Sequence, residues 1–219
     1  MAVIPMYHQG SRQLQDRYST RRLADRLSEV LARNAFTAED RAQSCPLFFL
    51  ATADADGRPD CSHKGGLPGF VQVVGPDSLA FPDYDGNGMF KSLGNLLANP
   101  AVGILFIDFE SPRRLRVNGR ASISEDDPLL CQFEGARLIV RVKAEAIFPN
   151  CPRYIHRMQI VEPSVYAPCK GTCAAGTRLE ETTPVSGSLA ARLNWSACQV
   201  LPQQFLPPQC NSCSLAAVM

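Results

Sequence analysis

Apolar and polar residues change their spacing along the chain, first at helical and then at strand period. Leu23, Leu27, Val30 and Leu31 recur at i, i+4, i+7 and i+8 behind a cap at Ser19 or Thr20, which predicts an amphipathic helix. Thr37 and Asp40 have capping-box-like spacing for a second, short helix that ends at Pro46. Both helices are expected to pack on the outside of the β-rich region that begins after them. From Leu47 the texture turns to β. LFFLATA, residues 47–53, is a nearly continuous apolar run, and Asp56 with Gly57 supplies a hairpin turn before a strand over 58–64. Residues 70–74 and 78–81 read as strands around a turn at Gly75, Pro76 and Asp77. A buried strand follows over 102–109, with a turn around Pro112. Residues 115–123 alternate Leu115, Val117, Gly119, Ala121 and Ile123 against Arg116, Asn118, Arg120 and Ser122, the signature of a half-buried strand. A short helix is expected after Asp127 and Pro128, then a long strand over 138–148 with Leu138, Val140, Val142, Ala144 and Ala146 on one face.

One helix interrupts the strands. It spans residues 89–98, with Phe90, Leu93, Leu96 and Leu97 expected toward the core and Pro100 just past its end. Hairpin-linked strands, six or so, with a helix between the fourth and fifth, predict a mainly β fold: a six-stranded antiparallel barrel with flanking helices. The division is a helical segment at 1–44, the barrel at 45–166, and an extension at 167–219. In that extension Gly, Ser, Thr, Pro, Ala and Gln prevail, so poor order is expected there.

Charge narrows the function. Among 219 residues, 22 Lys and Arg stand against 21 Asp and Glu, which gives no basic field for nucleic acid. No run of 18 apolar residues appears, so no membrane span is expected, and MAVIPMYHQGSRQLQDR lacks the apolar stretch of a signal peptide. A cytoplasmic protein is expected. Of nine cysteines, Cys45, Cys61, Cys131 and Cys151 are scattered singly, which fits reduced thiols better than a disulfide framework. Cys169, Cys173, Cys198, Cys210 and Cys213 fall near the C-terminus. The pairs Cys169/Cys173 and Cys210/Cys213 are spaced close to zinc ligands, but the sequence between them lacks a compact knuckle composition; the alternative is a tail that carries thiols. His8, His63 and His156 are too scattered to argue a metal site, so none is expected.

Candidate chemistry concentrates in PDYDGNGMFKSLGNLLANP, residues 82–100. Gly86 and Gly88 permit positive φ before a helix whose first turn offers unpaired N–H groups, and Lys91 and Ser92 add a charge and a hydroxyl. The segment is either an anion site or an ordinary turn and cap. In PNCPRYIHR, Arg153 and His156 fall one turn apart if a helix begins near Pro152 and could face an anionic substrate; the alternative is packing. No third group is identifiable to orient a Cys/His nucleophile, so catalytic residues are not assigned.

Three motifs in order, LATADADGRPDCSHKGG, the segment 82–100 and LRVNGRASI, resemble the FMN-binding split-barrel family typified by pyridoxamine 5'-phosphate oxidase. The resemblance covers about residues 45–166. It implies a six-stranded split β-barrel that binds FMN as a homodimer with the flavin sites at the interface, and a flavin-dependent oxidoreductase acting on a small molecule. Lys64, Lys91 and Ser92 match the family's phosphate contacts. Backbone groups of Cys61, Ser62 and His63 are expected at the polar edge of the ring, Asp83 and Tyr84 beside ribityl or ring, and Asn87 as a further cofactor-binding residue. Arg116 and Asn118 are expected to reach the flavin from the other subunit, against a cross-strand ion pair or exposed strand positions as the alternatives. The tail FPNCPRYIHRM is similar to a branch of oxidase-like proteins of unassigned substrate. Two departures matter: Asp60 stands where the oxidase uses an arginine on the phosphate, and the oxidase's Arg, any, His substrate motif is missing. Other readings are a non-catalytic flavin-binding protein, or a split barrel that holds haem or a deazaflavin.

Overall fold

The period-2 segments become seven strands: β1 (Leu47–Ala53), β2 (Pro59–Gly65), β3 (Gln72–Gly75), β4 (Ser78–Tyr84), β5 (Ala101–Asp108), β6 (Arg113–Ser124) and β7 (Ala136–Asn150). The computed structural model describes residues 6–31, 33, 35–37, 40 and 45–168, so the tail cysteines and the zinc spacing lie outside the described residues. All seven strands join one antiparallel sheet in the order β2-β1-β5-β6-β7-β4-β3, one strand more than the six expected. The pair β3–β4 forms the edge hairpin expected from the turn at Gly75, Pro76 and Asp77.

The sheet rolls onto itself. Phe48 of β1 packs its ring 4.9 Å from that of Phe81 on β4, although three strands separate the two in the sheet order. Phe70 and Phe106 complete the cluster at 5.7 and 5.4 Å. Such offset and edge-on aromatic pairs add about 0.5–1.5 kcal/mol each beyond area burial. Leu50, Leu79, Ile104, Val117, Val140, Val142 and Ile147 fill the rest of the core.

The strand β6 alternates as expected, with Leu115, Val117, Gly119 and Ala121 inward and Arg116, Asn118, Arg120 and Ser122 outward. Its partner departs from simple alternation. Asn118 pairs with Ala146 but Gly119 pairs with Ala144, so Glu145 is an extra residue in β7. A one-residue bulge reverses the face of everything beyond it. The core position past the bulge is therefore Ile147, fully buried, and not Ala146. A side chain on Gly119 would place its Cβ 2.1 Å from the Lys143 carbonyl, so only glycine lets the two strands approach there.

Helix α1 (Gln9–Arg17), which the apolar spacing did not reveal, is capped by His8, whose Nδ1 accepts from the Gly10 amide at 3.1 Å. Helix α2 (Arg21–Leu31) begins after Thr20 as the spacing predicts. In the single chain its Leu23 and Val30 remain about 60% exposed. Thr37 and Asp40 form the reciprocal cap, each side chain bonded to the other's backbone amide, at 2.7 and 3.2 Å. The rest of the helix this would start lies outside the described residues. No helix among the described residues is long and apolar enough to cross a membrane.

Helix α3 (Lys91–Ala98) closes one end of the barrel and starts two residues later than its spacing predicts. Its buried face is Ser92, Leu93, Asn95 and Leu96, whereas Phe90 and Leu97 are exposed. The stripe is displaced because polar Asn95 turns inward to donate a 3.0 Å hydrogen bond from Nδ2 to Thr52 Oγ1 on β1. The short helix expected after Pro128 is a single 3₁₀ turn, Leu130–Gln132.

Candidate functional site

Strand β2 is an edge strand, paired only with β1, so half of its backbone N–H and C=O groups point away from the sheet. Its side chains divide by pleat. Asp60, Ser62 and Lys64 are half-buried on the face that meets α3, and Cys61 and His63 are exposed on the other.

The first face is where the two lysine-bearing motifs converge. Ser62 Oγ lies 2.9 Å from Ser92 Oγ in the first turn of α3, and Ser92 Oγ lies 3.4 Å from Asp60 Oδ2. Ser92 is only 5% exposed, so its hydroxyl joins β2 to the helix, while Lys91 beside it is exposed. No side chain caps α3, whose capping position Phe90 takes left-handed φ of 48°, leaving the first-turn amides open to an anion. At the turn into β2, Asp54 accepts from the amides of Asp56 and Arg58 at 3.0 and 2.8 Å. Those backbone bonds, chiefly that from Arg58, hold its carboxyl below the usual range, and the nearby charge of Lys91 acts in the same direction.

The loop before α3 is organised by a residue that sequence reasoning missed. Arg137 of β7 bridges Asp83 at 3.3 Å and Asp85 at 3.1 Å, donates to the Tyr84 carbonyl at 3.3 Å, and stacks 4.8 Å over the Phe90 ring. Asp83 is therefore committed to an ion pair. Tyr84 is half-buried, and burial pushes its phenol pKa upward. Asn87 Oδ1 accepts from the Met89 amide at 3.1 Å, an Asx turn that shapes the loop. Of the two glycines, Gly88 takes positive φ, 72°, and Gly86 does not.

Arg116 and Asn118 lie on the outward sheet face, with Cys61 and His63 and away from Ser62 and Ser92. One cross-strand row runs His63, Phe49, Leu105, Arg116, Phe148, and the next Cys61, Ala51, Gly103, Asn118, Ala146. The single chain thus separates the candidate residues into two sets on opposite faces. Arg153 and His156 do not share a helix face. Pro152 begins a turn at Arg153 and Tyr154, with Tyr154 at φ 66°, and the chain then runs irregularly, both residues exposed. Left-handed backbone at Tyr154 is incompatible with helix propagation.

A partly open cavity of about 40 Å³ between Phe36, Cys45, Val71, Leu79 and Phe106 lies elsewhere and is too small for a ring system. Burial pushes the Cys45 thiol pKa upward there. Cys45, Cys61, Cys131 and Cys151 are unbridged.

No curated protein matches the chain. Among solved structures, an FMN-binding protein from Syntrophomonas wolfei is 12% identical over 63% of this chain and 97% of that one, at a TM-score of 0.41. HutZ, the heme storage protein from Vibrio cholerae, is 22% identical over 50% and 89%, at 0.38. General Stress Protein 26 from Bacillus anthracis is 16% identical over 58% and 92%, at 0.39. The family model for pyridoxamine 5'-phosphate oxidase matches residues 36–163, which takes in all seven strands, α3 and the Ser62–Ser92 junction. By that match, over more than half of its length, the chain belongs to the pyridoxamine 5'-phosphate oxidase family of split barrels.

Proposed function

We propose that this protein binds FMN and is a flavin-dependent oxidoreductase acting on a small organic molecule. The observation that carries the reading is the 2.9 Å contact between Ser62 and Ser92, which brings together two motifs thirty residues apart in the chain. Lys64 is half-buried on the same pleat of β2 as Ser62, and Lys91 stands beside Ser92 at the open end of α3, next to hydroxyls and first-turn amides. That donor set suits a phosphate monoester, through charge-assisted hydrogen bonds and the positive end of the helix. Asp60 is the one member that does not.

A bound flavin supplies two-electron chemistry of its own. What the chain contributes is position: Lys64 and Lys91 anchor the phosphate, the free backbone edge of β2 offers bonds to the ring, and the Asx turn at Asn87 shapes the loop that flanks the ribityl chain. Arg116 and Asn118 lie on the sheet face opposite Ser62 and Ser92, so they reach a flavin there only from a second copy, in a homodimer with shared sites. The substrate contacts Arg153 and His156 are exposed on the segment after β7 and remain the candidates for an anionic substrate group.

The test is the visible spectrum of the purified full chain, followed by titration with FMN. The expected result is a flavin spectrum on loading, and at least tenfold weaker binding in a Lys64→Ala, Lys91→Ala double variant. A protein that binds no FMN at any accessible concentration overturns the reading. A Soret band on purification replaces FMN with haem, and selective binding of a deazaflavin replaces it with that cofactor.

A further inference from the structure

The phosphate cradle proposed above contains a carboxylate that opposes its ligand. Asp60 lies on the same pleat as Ser62 and Lys64, half-buried, with Oδ2 3.4 Å from the Ser92 hydroxyl at the open end of α3. Its side-chain contact among the described residues is that hydroxyl, not a cation. Asp54 brings a second carboxylate close enough for the charge of Lys91 to act on it. Two carboxylates thus accompany Lys91 near the first turn of α3, Asp54 and Asp60. Asp54 is occupied by the amides of its own turn and by Arg58. Asp60 is not so occupied.

A phosphate monoester carries close to two negative charges at neutral pH. Beside a carboxylate a few ångströms away it loses affinity, and a ligand with no charge at that end loses none. We propose that Asp60 is an affinity-setting residue that weakens the cradle for dianionic phosphate, so that FMN is an exchangeable ligand of this protein and not a retained prosthetic group. The inference rests on the flavin reading, and its test separates the two.

The full chain, as wild type, Asp60→Asn and Asp60→Glu, is titrated with FMN and with riboflavin by quenching of flavin fluorescence. Asn preserves the shape of Asp60 and its hydrogen bond to Ser92, and thermal unfolding of each variant confirms the fold. The expected result is that Asp60→Asn binds FMN about tenfold or more tightly, the order of effect of one like charge at a partly screened site. Riboflavin affinity stays within about twofold, and Asp60→Glu, which keeps the charge, binds FMN as weakly as wild type. FMN affinity unchanged or reduced in Asp60→Asn overturns the inference and leaves the flavin site standing. An equal gain for riboflavin also overturns it, because the effect would not act through the phosphate. Failure of every protein to bind either flavin overturns the flavin reading itself, and this inference with it.

Discussion

Glycine has opposite meanings at two positions of this protein. At Gly119 a methyl group would lie 2.1 Å from the Lys143 carbonyl, a backbone atom held in the β6–β7 ladder. Neither strand can yield without losing its register. Gly119→Ala is therefore expected to cost about 3 kcal/mol or more, read as a lower urea midpoint. Gly94, exposed in α3, has nothing within 4 Å of its would-be Cβ. Gly94→Ala is expected to raise the same midpoint, by about 0.5–1 kcal/mol, because alanine loses less backbone entropy in a helix. Asp127 gives a third residue-scale expectation. Its side chain is 4% exposed, bonds Arg141 through both oxygens and accepts from the Leu129 amide at 2.9 Å. The Arg141 bond, ahead of the Leu129 amide, holds the carboxyl below its ordinary range. A carboxyl depressed in the folded state stabilises it above the unfolded pKa of about 3.9, and that contribution is lost as pH falls through the folded value. Melting temperature is thus expected to fall below about pH 4 in the wild type, and to fall less steeply in Asp127→Asn, which starts lower at pH 7.

The elements around α3 show what is gained when distant strands pair. Arg137 ties β7 to Asp83, Asp85 and Phe90, so it holds the loop that leads into the helix. Arg137→Ala leaves Asp83 without that ion pair and frees the loop. Faster amide exchange over residues 85–90 and about tenfold weaker FMN binding are expected, with the exchange of β1 and β5 unchanged. Unchanged exchange in the loop would show that the Asx turn at Asn87 holds it alone. None of this was legible in the sequence, because Arg137 lies 54 positions from Asp83 and only the β4–β7 register brings them together. Local pattern did carry the strands. β1 matched its expected bounds, and β6 alternated as read. Reading failed where tertiary demands overrode period: Asn95 turned inward to meet Thr52, and the extra residue Glu145 put Ile147 in place of Ala146. The junction between the two lysine-bearing motifs was legible in part. Ser62 and Ser92 meet, but the contact of Asp60 with Ser92 needed the pleat of β2 against α3.

At the scale of the whole molecule, the sheet has two apolar faces, and the barrel interior fully buries one of them. Strands β1 and β5 are apolar at nearly every position, a composition of strands buried on both sides. Phe48, Leu50, Ile104 and Phe106 fill the barrel, whereas Leu47, Phe49, Leu105 and Ile107 turn outward and are only half-buried. Phe148 extends the strip across Arg116 in the same cross-strand row. The sheet face that also carries Arg116 and Asn118 is the surface through which a second copy would bring those two side chains to a flavin on β2. A charge in the middle of this strip is costly only if the strip is buried in the assembly. Leu105→Asp is therefore expected to convert a dimer to a monomer in sedimentation or light scattering, with the β circular dichroism signal retained. FMN binding is expected to weaken in the same variant, since half of each site is then missing. A wild-type chain that is monomeric at micromolar concentration, or a Leu105→Asp variant that remains dimeric, places Arg116 and Asn118 outside the flavin site, and the cradle of Lys64, Lys91 and Ser92 then has to hold its ligand within one chain.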